Sequence, residues 1–127
     1  MKCKEYKKPD DQNPGLQPRV FITVVIPARN EEKKIGACLD SMKAQTYPTH
    51  LFEVIVADDF STDNTTGIVA SFPGGNTRCI QLKDFIKEGS INSYKKKAIE
   101  LAIDEAKGDL IVTTDADCIV PPGGLNS

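Results

Sequence analysis

Two carboxylates, Asp115 and Asp117, stand two residues apart at the end of Leu110-Ile111-Val112-Thr113-Thr114-Asp115-Ala116-Asp117-Cys118. In an extended backbone residues i and i+2 point the same way, so the pair can converge on a volume about 7 Å across. Two like charges held that close call for a cation, a hydrogen-bonded sugar or a raised pKa. Hard oxygen donors in an open, partly hydrated site suit Mg²⁺ or Mn²⁺ held jointly with a substrate phosphate. An isolated Asp-x-Asp is most often a solvated turn. Position distinguishes this one: the apolar and β-branched run behind Gly108 reads as a buried parallel strand that delivers both carboxylates to its carboxyl end.

Other elements must then complete a sheet. Val20 to Ile26 is β-branched and almost continuously apolar, and Pro27 is expected to end its pairing, which predicts a central strand buried on both faces. Asn30 reads as an N-cap with Glu31 and Glu32 in the first helical turn, and Ile35, Cys38, Leu39 and Met42 mark the docking face of a helix ending near Gln45-Thr46-Tyr47-Pro48. Phe52 to Ala57 predicts a second strand, which runs into Asp58-Asp59-Phe60-Ser61-Thr62-Asp63-Asn64 and a short helix from Thr65 to Phe72. Pro73-Gly74-Gly75-Asn76 marks a turn and Thr77 to Leu82 a weaker third strand. Ser93 is expected to cap a helix to Lys107 with a docking face of small and apolar residues at Ala98, Ile99, Ala102, Ile103 and Ala106, and Gly108 stands where a C′ glycine belongs. Residues Met1 to Arg19, polar and Pro-containing, read as a flexible arm without structure.

The alternation predicts an α/β, doubly wound, mostly parallel sheet with helices on both faces, formed by residues 20–127. Ligands of such sheets sit outside the carboxyl ends of the strands. Three polar clusters fall there: Pro27 to Glu31, Asp58-Asp59, and Asp115-Ala116-Asp117. A chain of 127 residues has room for one domain. Its net charge of −2 offers no basic field for a nucleic-acid backbone. The four cysteines are far apart, with no Cys-x-x-Cys pair and a single His, so they read as reduced thiols of a cytoplasmic domain and not as a zinc site. No apolar run approaches the roughly 18–20 residues of a membrane span.

The ordered set Val24-Val25-Ile26-Pro27-Ala28-Arg29-Asn30-Glu31-Glu32, Val54-Ile55-Val56-Ala57-Asp58-Asp59-Phe60-Ser61-Thr62-Asp63, Lys95 to Ala98, and Thr114-Asp115-Ala116-Asp117-Cys118 resembles the nucleotide-binding half of family 2 glycosyltransferases. These are inverting enzymes with a Rossmann-like GT-A fold that use nucleotide-activated sugars. The resemblance implies that Pro27, Ala28, Arg29 and Glu31 line the nucleotide pocket, with Glu31 near the ribose or base. It implies that Asp58, with Asp59 beside it, accepts a hydrogen bond from uracil or another base, and that Lys95 faces the diphosphate. Asp115 and Ala116 would lie against the ribose or sugar, and Asp117 would bind the Mn²⁺ or Mg²⁺ ion that bridges the phosphates. Phe60 and Tyr94 stand where the family pattern has glycines, and Glu100 where it commonly has Asn.

The same resemblance implies hexosyl transfer from a nucleotide-diphosphate donor, a UDP-sugar first, to a glycan, lipid or protein acceptor, as in cell-wall or polysaccharide biosynthesis. A longer parent would work at the cytoplasmic face of a membrane. The family's base is an acidic residue of the second half, expected beyond Ser127, so no catalytic residue is assigned. The chain reads as truncated at its C-terminus and inactive in transfer by itself. Two other classes compete. A non-catalytic nucleotide-binding module would show metal-dependent binding without turnover. A nucleotidyltransferase-like domain is expected to carry a Gly-rich loop after its first strand, and Pro27-Ala28-Arg29-Asn30 has no glycine.

Overall fold

The computed structural model describes residues 4–7, 20–45, 49–72, 76–87 and 94–119. Its strands are Lys4–Lys7 (β1), Ile22–Ala28 (β2), Phe52–Asp58 (β3), Thr77–Gln81 (β4) and Leu110–Thr113 (β5). Its helices are Ile35–Lys43 (α1), Thr65–Ser71 (α2) and Tyr94–Glu105 (α3). The strand order is β1-β5-β2-β3-β4, with β5, β2, β3 and β4 mutually parallel and β1 antiparallel to β5. The expected doubly wound sheet is therefore present. The Thr46-Tyr47-Pro48 break, the Pro73-Gly74-Gly75 turn and the Ser93 cap lie outside the described residues.

Every position of β2 and β3 is buried, as continuous apolar strands require when both faces are covered. Alternation then sorts their side chains. Ile22, Val24, Ile26, Val54 and Val56 pack with Ile35, Cys38, Leu39 and Met42 of α1 and Val69 of α2. Val25, Ile55, Ala57 and Ile111 face the other way, against Ala98, Ala102 and Ala106 at α3. Small residues on α3 let that helix lie close to the sheet.

Four local expectations are corrected. Lys4–Lys7, assigned no structure from composition, adds an edge strand to β5 with Tyr6 opposite Ile111; backbone hydrogen bonds need no apolar pattern, so composition could not signal them. Pro27 does not end β2. It sits inside the strand opposite Ala57, while β5 pairs only as far as Val25. One flank of β2 is thus free of a strand at Pro27, which is where proline is tolerated.

Asn30, Glu31 and Glu32 precede the helix and do not cap it: α1 begins at Ile35 with no side-chain cap. Gly108 is not a C′ glycine either, since α3 ends at Glu105. It is buried against β2, where a Cβ would lie 2.5 Å from the Thr23 backbone nitrogen and 2.6 Å from Thr23 Oγ1. Close backbone approach is the reason for glycine here. The Gly108 N–H donates to Thr23 Oγ1 (2.8 Å), whose hydroxyl donates to Glu53 Oε2 (2.7 Å), an oxygen that also accepts from the Lys107 N–H (2.8 Å). The Arg78 guanidinium lies 3.5 Å from Glu53 Oε1 and donates to the Glu105 carbonyl at 2.9 Å. A carboxylate inside a buried strand is tolerable because each of its oxygens is answered.

Candidate functional site

The loops after β2 and β3 are stitched together at the carboxyl edge of the sheet. The Asp59 N–H donates to the Ala28 carbonyl at 2.8 Å, extending the ladder by one bond beyond the strands. Asn30 adopts a left-handed backbone (φ 53°), which Asn tolerates better than most residues. Its N–H donates to Ser61 Oγ (2.9 Å), and its Oδ1 accepts from the N–H groups of Thr62 (2.7 Å) and Asp63 (3.3 Å). The Glu31 N–H donates to Thr65 Oγ1 (2.9 Å), the Glu32 N–H to Asp63 Oδ2 (3.2 Å), and the Asn64 N–H to Glu32 Oε1 (2.8 Å). Capping and left-handed turns draw on the same short amide side chain, so the sequence pointed to Asn30 as special while misplacing its partner.

Removing that side chain should be felt. Asn30→Ala is expected to lower stability by about 1 kcal/mol, from two lost solvent-exposed hydrogen bonds and a strained φ; Asn30→Asp, which keeps the acceptor, should retain most of it. Urea denaturation of the two variants tests the comparison.

Asp63 holds the same loop. Its Oδ1 accepts from the N–H of Thr65 at 2.9 Å and from the Thr65 hydroxyl. Desolvation by its surroundings works to raise its pKa, but the hydrogen bonds from the Thr65 hydroxyl and from the N–H groups of Thr65, Glu32 and Asp63 itself outweigh it and hold the carboxyl below its usual 3.8. A depressed folded pKa gives stability that is present above the unfolded value and is lost as pH falls through the lower folded value. Denaturation between about pH 5 and pH 2 should therefore show the wild type losing more stability than Asp63→Asn. Parallel profiles would contradict the assignment.

Asp58, at the last position of β3, is 2 % exposed. Its Oδ2 accepts from the Ser61 N–H (3.2 Å) across a tight turn in which Phe60 has φ 52°. Among the described residues, Asp58 Oδ1 and Thr114 Oγ1 are buried side-chain oxygens without a hydrogen-bond partner. A buried carboxylate oxygen without a protein donor at a sheet edge can accept a hydrogen bond from a bound water or ligand.

The carboxylate pair converges by a different geometry from that expected. β5 stops at Thr113, and the Cys118 N–H donates to the Asp115 carbonyl at 3.1 Å, closing a turn. Ala116 is 2 % exposed and packs into the core beside α1, which leaves Asp115 and Asp117 on the surface at either side of it. One carboxylate oxygen of each, together with Cys118 Sγ, lie within 4.8 Å of one another. Lys95 Nζ stands 3.5 Å from Asp115 Oδ1. Two carboxylates with room for water fit Mg²⁺ or Mn²⁺, while the half-buried thiol of Cys118 is the softest group in reach.

Of the residues expected at the site, Pro27 and Ala28 are buried at the end of β2, Arg29 is exposed and Glu31 half-buried in the loop that follows. Ala28 is joined to Asp58 by register and to Asp59 by a hydrogen bond, and Lys95 to Asp115. β2 lies between β3 and β5, so the end of β3 at Asp58 and the end of β5 at Thr113, two residues before Asp115, are two strand spacings apart, about 10 Å. Composition drew no attention to Ser61, Asp63 or Thr65 individually; a loop dense in Asx and hydroxyl residues was the available signal. At the opposite, amino edge a cavity of about 390 Å³ is lined by Phe21, His50, Phe52, Glu53, Arg78 and Lys107. The Glu53 carboxylate there is already committed to Thr23, Lys107 and Arg78.

A parallel sheet wrapped by helices on both faces, with converging carboxylates at its carboxyl edge, defines an α/β protein of the Rossmann-like GT-A type. Residues 23–127 match the model of Glycosyl transferase family 2, and the chain belongs to that family. It is 33% identical over 98 residues to "Glycosyltransferase AglE" of Haloferax volcanii, covering 77% of this chain and 31% of that protein. Among solved structures it superposes on TarS 1-349 of S. aureus in complex with UDP-GlcNAc with a TM-score of 0.69 at 30% identity, over 84% of this chain and 29% of that one. A similar match, TM-score 0.69 at 32% identity over 91% of this chain and 32% of the other, is to the mannosyltransferase PcManGT from Pyrobaculum calidifontis in complex with GDP-Man and Mn²⁺. The chain thus spans about a third of the length of these relatives. No helix among the described residues is long and apolar enough to cross a membrane.

Proposed function

We propose that this chain forms the donor-binding part of a hexosyltransferase and holds a nucleoside diphosphate-sugar, a UDP-sugar by preference, along the carboxyl edge of its sheet. The observation that carries this reading is the pairing of an orphaned buried acceptor, Asp58 Oδ1, with a carboxylate and lysine cluster two strands away. A base, a ribose and a diphosphate need about that separation between a ring N–H and the phosphate oxygens.

Asp58 Oδ1 accepts the ring N–H of the base, which removes the desolvation penalty of an unpaired buried oxygen. Glu31 and Arg29 line the route toward the ribose. Asp117, with Asp115, would hold Mn²⁺ or Mg²⁺, which would supply positive charge against the negative charge of a diphosphate leaving group. Lys95 turns from Asp115 to a phosphate oxygen and supplies a second positive charge. The complexes of similar proteins with UDP-GlcNAc and with GDP-Man and Mn²⁺ support this class of ligand.

Calorimetric titration of UDP and GDP, each with and without Mn²⁺, tests the reading. UDP binding that requires Mn²⁺ supports it, and a folded chain that binds neither nucleotide would rule it out. Tighter binding of GDP would replace the base while leaving the class intact.

A further inference from the structure

Phe60 and Tyr94 stand at the two positions where the family resemblance implies glycine, and their rings meet. Phe60 holds φ 52°, a left-handed backbone that glycine adopts freely and that a residue with a β-carbon resists. The surrounding bonds over-determine it: the Ser61 N–H is fixed on Asp58 Oδ2, and the Thr62 and Asp63 N–H groups on Asn30 Oδ1. Backbone strain that persists at the edge of a site marks a place where the side chain gives something in return.

What it gives is a ring contact. The Phe60 and Tyr94 rings meet edge to face, with centroids 5.2 Å apart and planes at 61°. Both are half-buried and pack against the same core face, with Ile80, Leu82 and Ala98. Phe60 lies two residues after Asp58. Tyr94 opens α3 and is followed directly by Lys95, whose Nζ stands at Asp115. A single aromatic contact therefore joins the loop that carries the orphaned acceptor to the helix that carries the phosphate-side cation. Glycine at either position would leave no side chain to make it.

We infer that Phe60 and Tyr94 are positioning residues: their contact fixes Lys95 relative to Asp58, so that engagement of the base end of a nucleoside diphosphate sets the lysine for its phosphate end. This rests on the donor-site reading above. The rings act through Asp58 and Lys95.

The test is a double-mutant cycle on UDP affinity in Mn²⁺, with the fold of each variant checked by circular dichroism. Lys95→Ala is expected to weaken UDP binding about tenfold in the wild-type background, the size of a charge-assisted phosphate contact. In the Phe60→Gly and Tyr94→Leu backgrounds the same substitution should weaken it only about twofold, because the lysine is no longer held in place. Tyr94→Phe keeps the ring, and in that background Lys95→Ala should again weaken UDP binding about tenfold. A purely structural contact would lower the melting temperature and leave the effect of Lys95→Ala undiminished. An equal loss in all backgrounds overturns the inference while the donor site stands. Absence of UDP and GDP binding by the wild type overturns the donor site and the inference with it. Should Phe60→Gly fail to fold, Tyr94→Leu set against Tyr94→Phe decides the matter.

Discussion

Asp117→Ala is expected to weaken Mn²⁺-dependent UDP binding by on the order of 100-fold, the cost of truncating one member of a tightly coupled charge cluster. Removing that carboxylate takes away one of two hard donors, and Asp115 alone holds a divalent ion poorly. Without the ion the remaining carboxylate repels the diphosphate, so the loss compounds. Asp117 is exposed while its neighbour Ala116 carries the core contact of the turn, so folding should be nearly unaffected, within about 0.5 kcal/mol. Two measurements separate the causes: calorimetry for UDP, and Mn²⁺ paramagnetic resonance for the ion without nucleotide. Asp117→Asn keeps the shape and removes the charge, and should fall in the same range. Retention of Mn²⁺-dependent UDP binding by Asp117→Ala would place the ion elsewhere.

The largest effect on stability is expected away from the site, at Gly108→Ala. A methyl group there would stand 2.5 Å from the Thr23 backbone nitrogen, 2.6 Å from Thr23 Oγ1 and 3.0 Å from the Ile22 carbonyl carbon. Two of those three atoms are backbone of the central strand and cannot swing aside. The segment after α3 would have to lift from β2, which also opens the hydrogen bonds from Gly108 to Thr23 and from Lys107 to Glu53. Overpacking with loss of buried hydrogen bonds points to about 3 kcal/mol, or a fall of about 10 °C in melting temperature. Thermal denaturation measures it. Thr23→Ala in combination should recover little, because the backbone clash remains. An unchanged melting temperature would show that α3 and β2 are not so closely apposed.

The network that Gly108 enters illustrates what a linear reading misses. Glu53 interrupts an otherwise apolar strand, and from the chain alone it reads as an interruption. Its partners come from three places in the chain: Thr23 in β2, Arg78 in β4, and Lys107 after α3, with Gly108 beside it joined through Thr23. No local pattern links residues separated by 25 to 85 positions. The same holds for Phe60 and Tyr94: each substitution of an expected glycine was visible singly, and their contact was not.

Sequence by itself determined the strands β2 and β3, because long β-branched runs bury both faces only in a covered parallel sheet, and it located β5, whose exposure alternates between half-buried and buried. It also determined the docking faces of α1 and α3, whose apolar spacing follows the helical period, and the presence of polar clusters at the carboxyl ends, where each run of apolar residues stops. Only the tertiary structure decided how those clusters meet. It turned Asn30 from a cap into a clasp on the neighbouring loop, carried β2 through Pro27, added β1 at the edge, and brought Asp115, Asp117, Cys118 and Lys95 together around a buried Ala116. The physical reason is range. Hydrophobic period and turn chemistry act over a few residues and are written locally. Hydrogen bonds between loops, backbone apposition and the separation of charges across a sheet depend on which strands become neighbours, and that is settled only when the whole core packs.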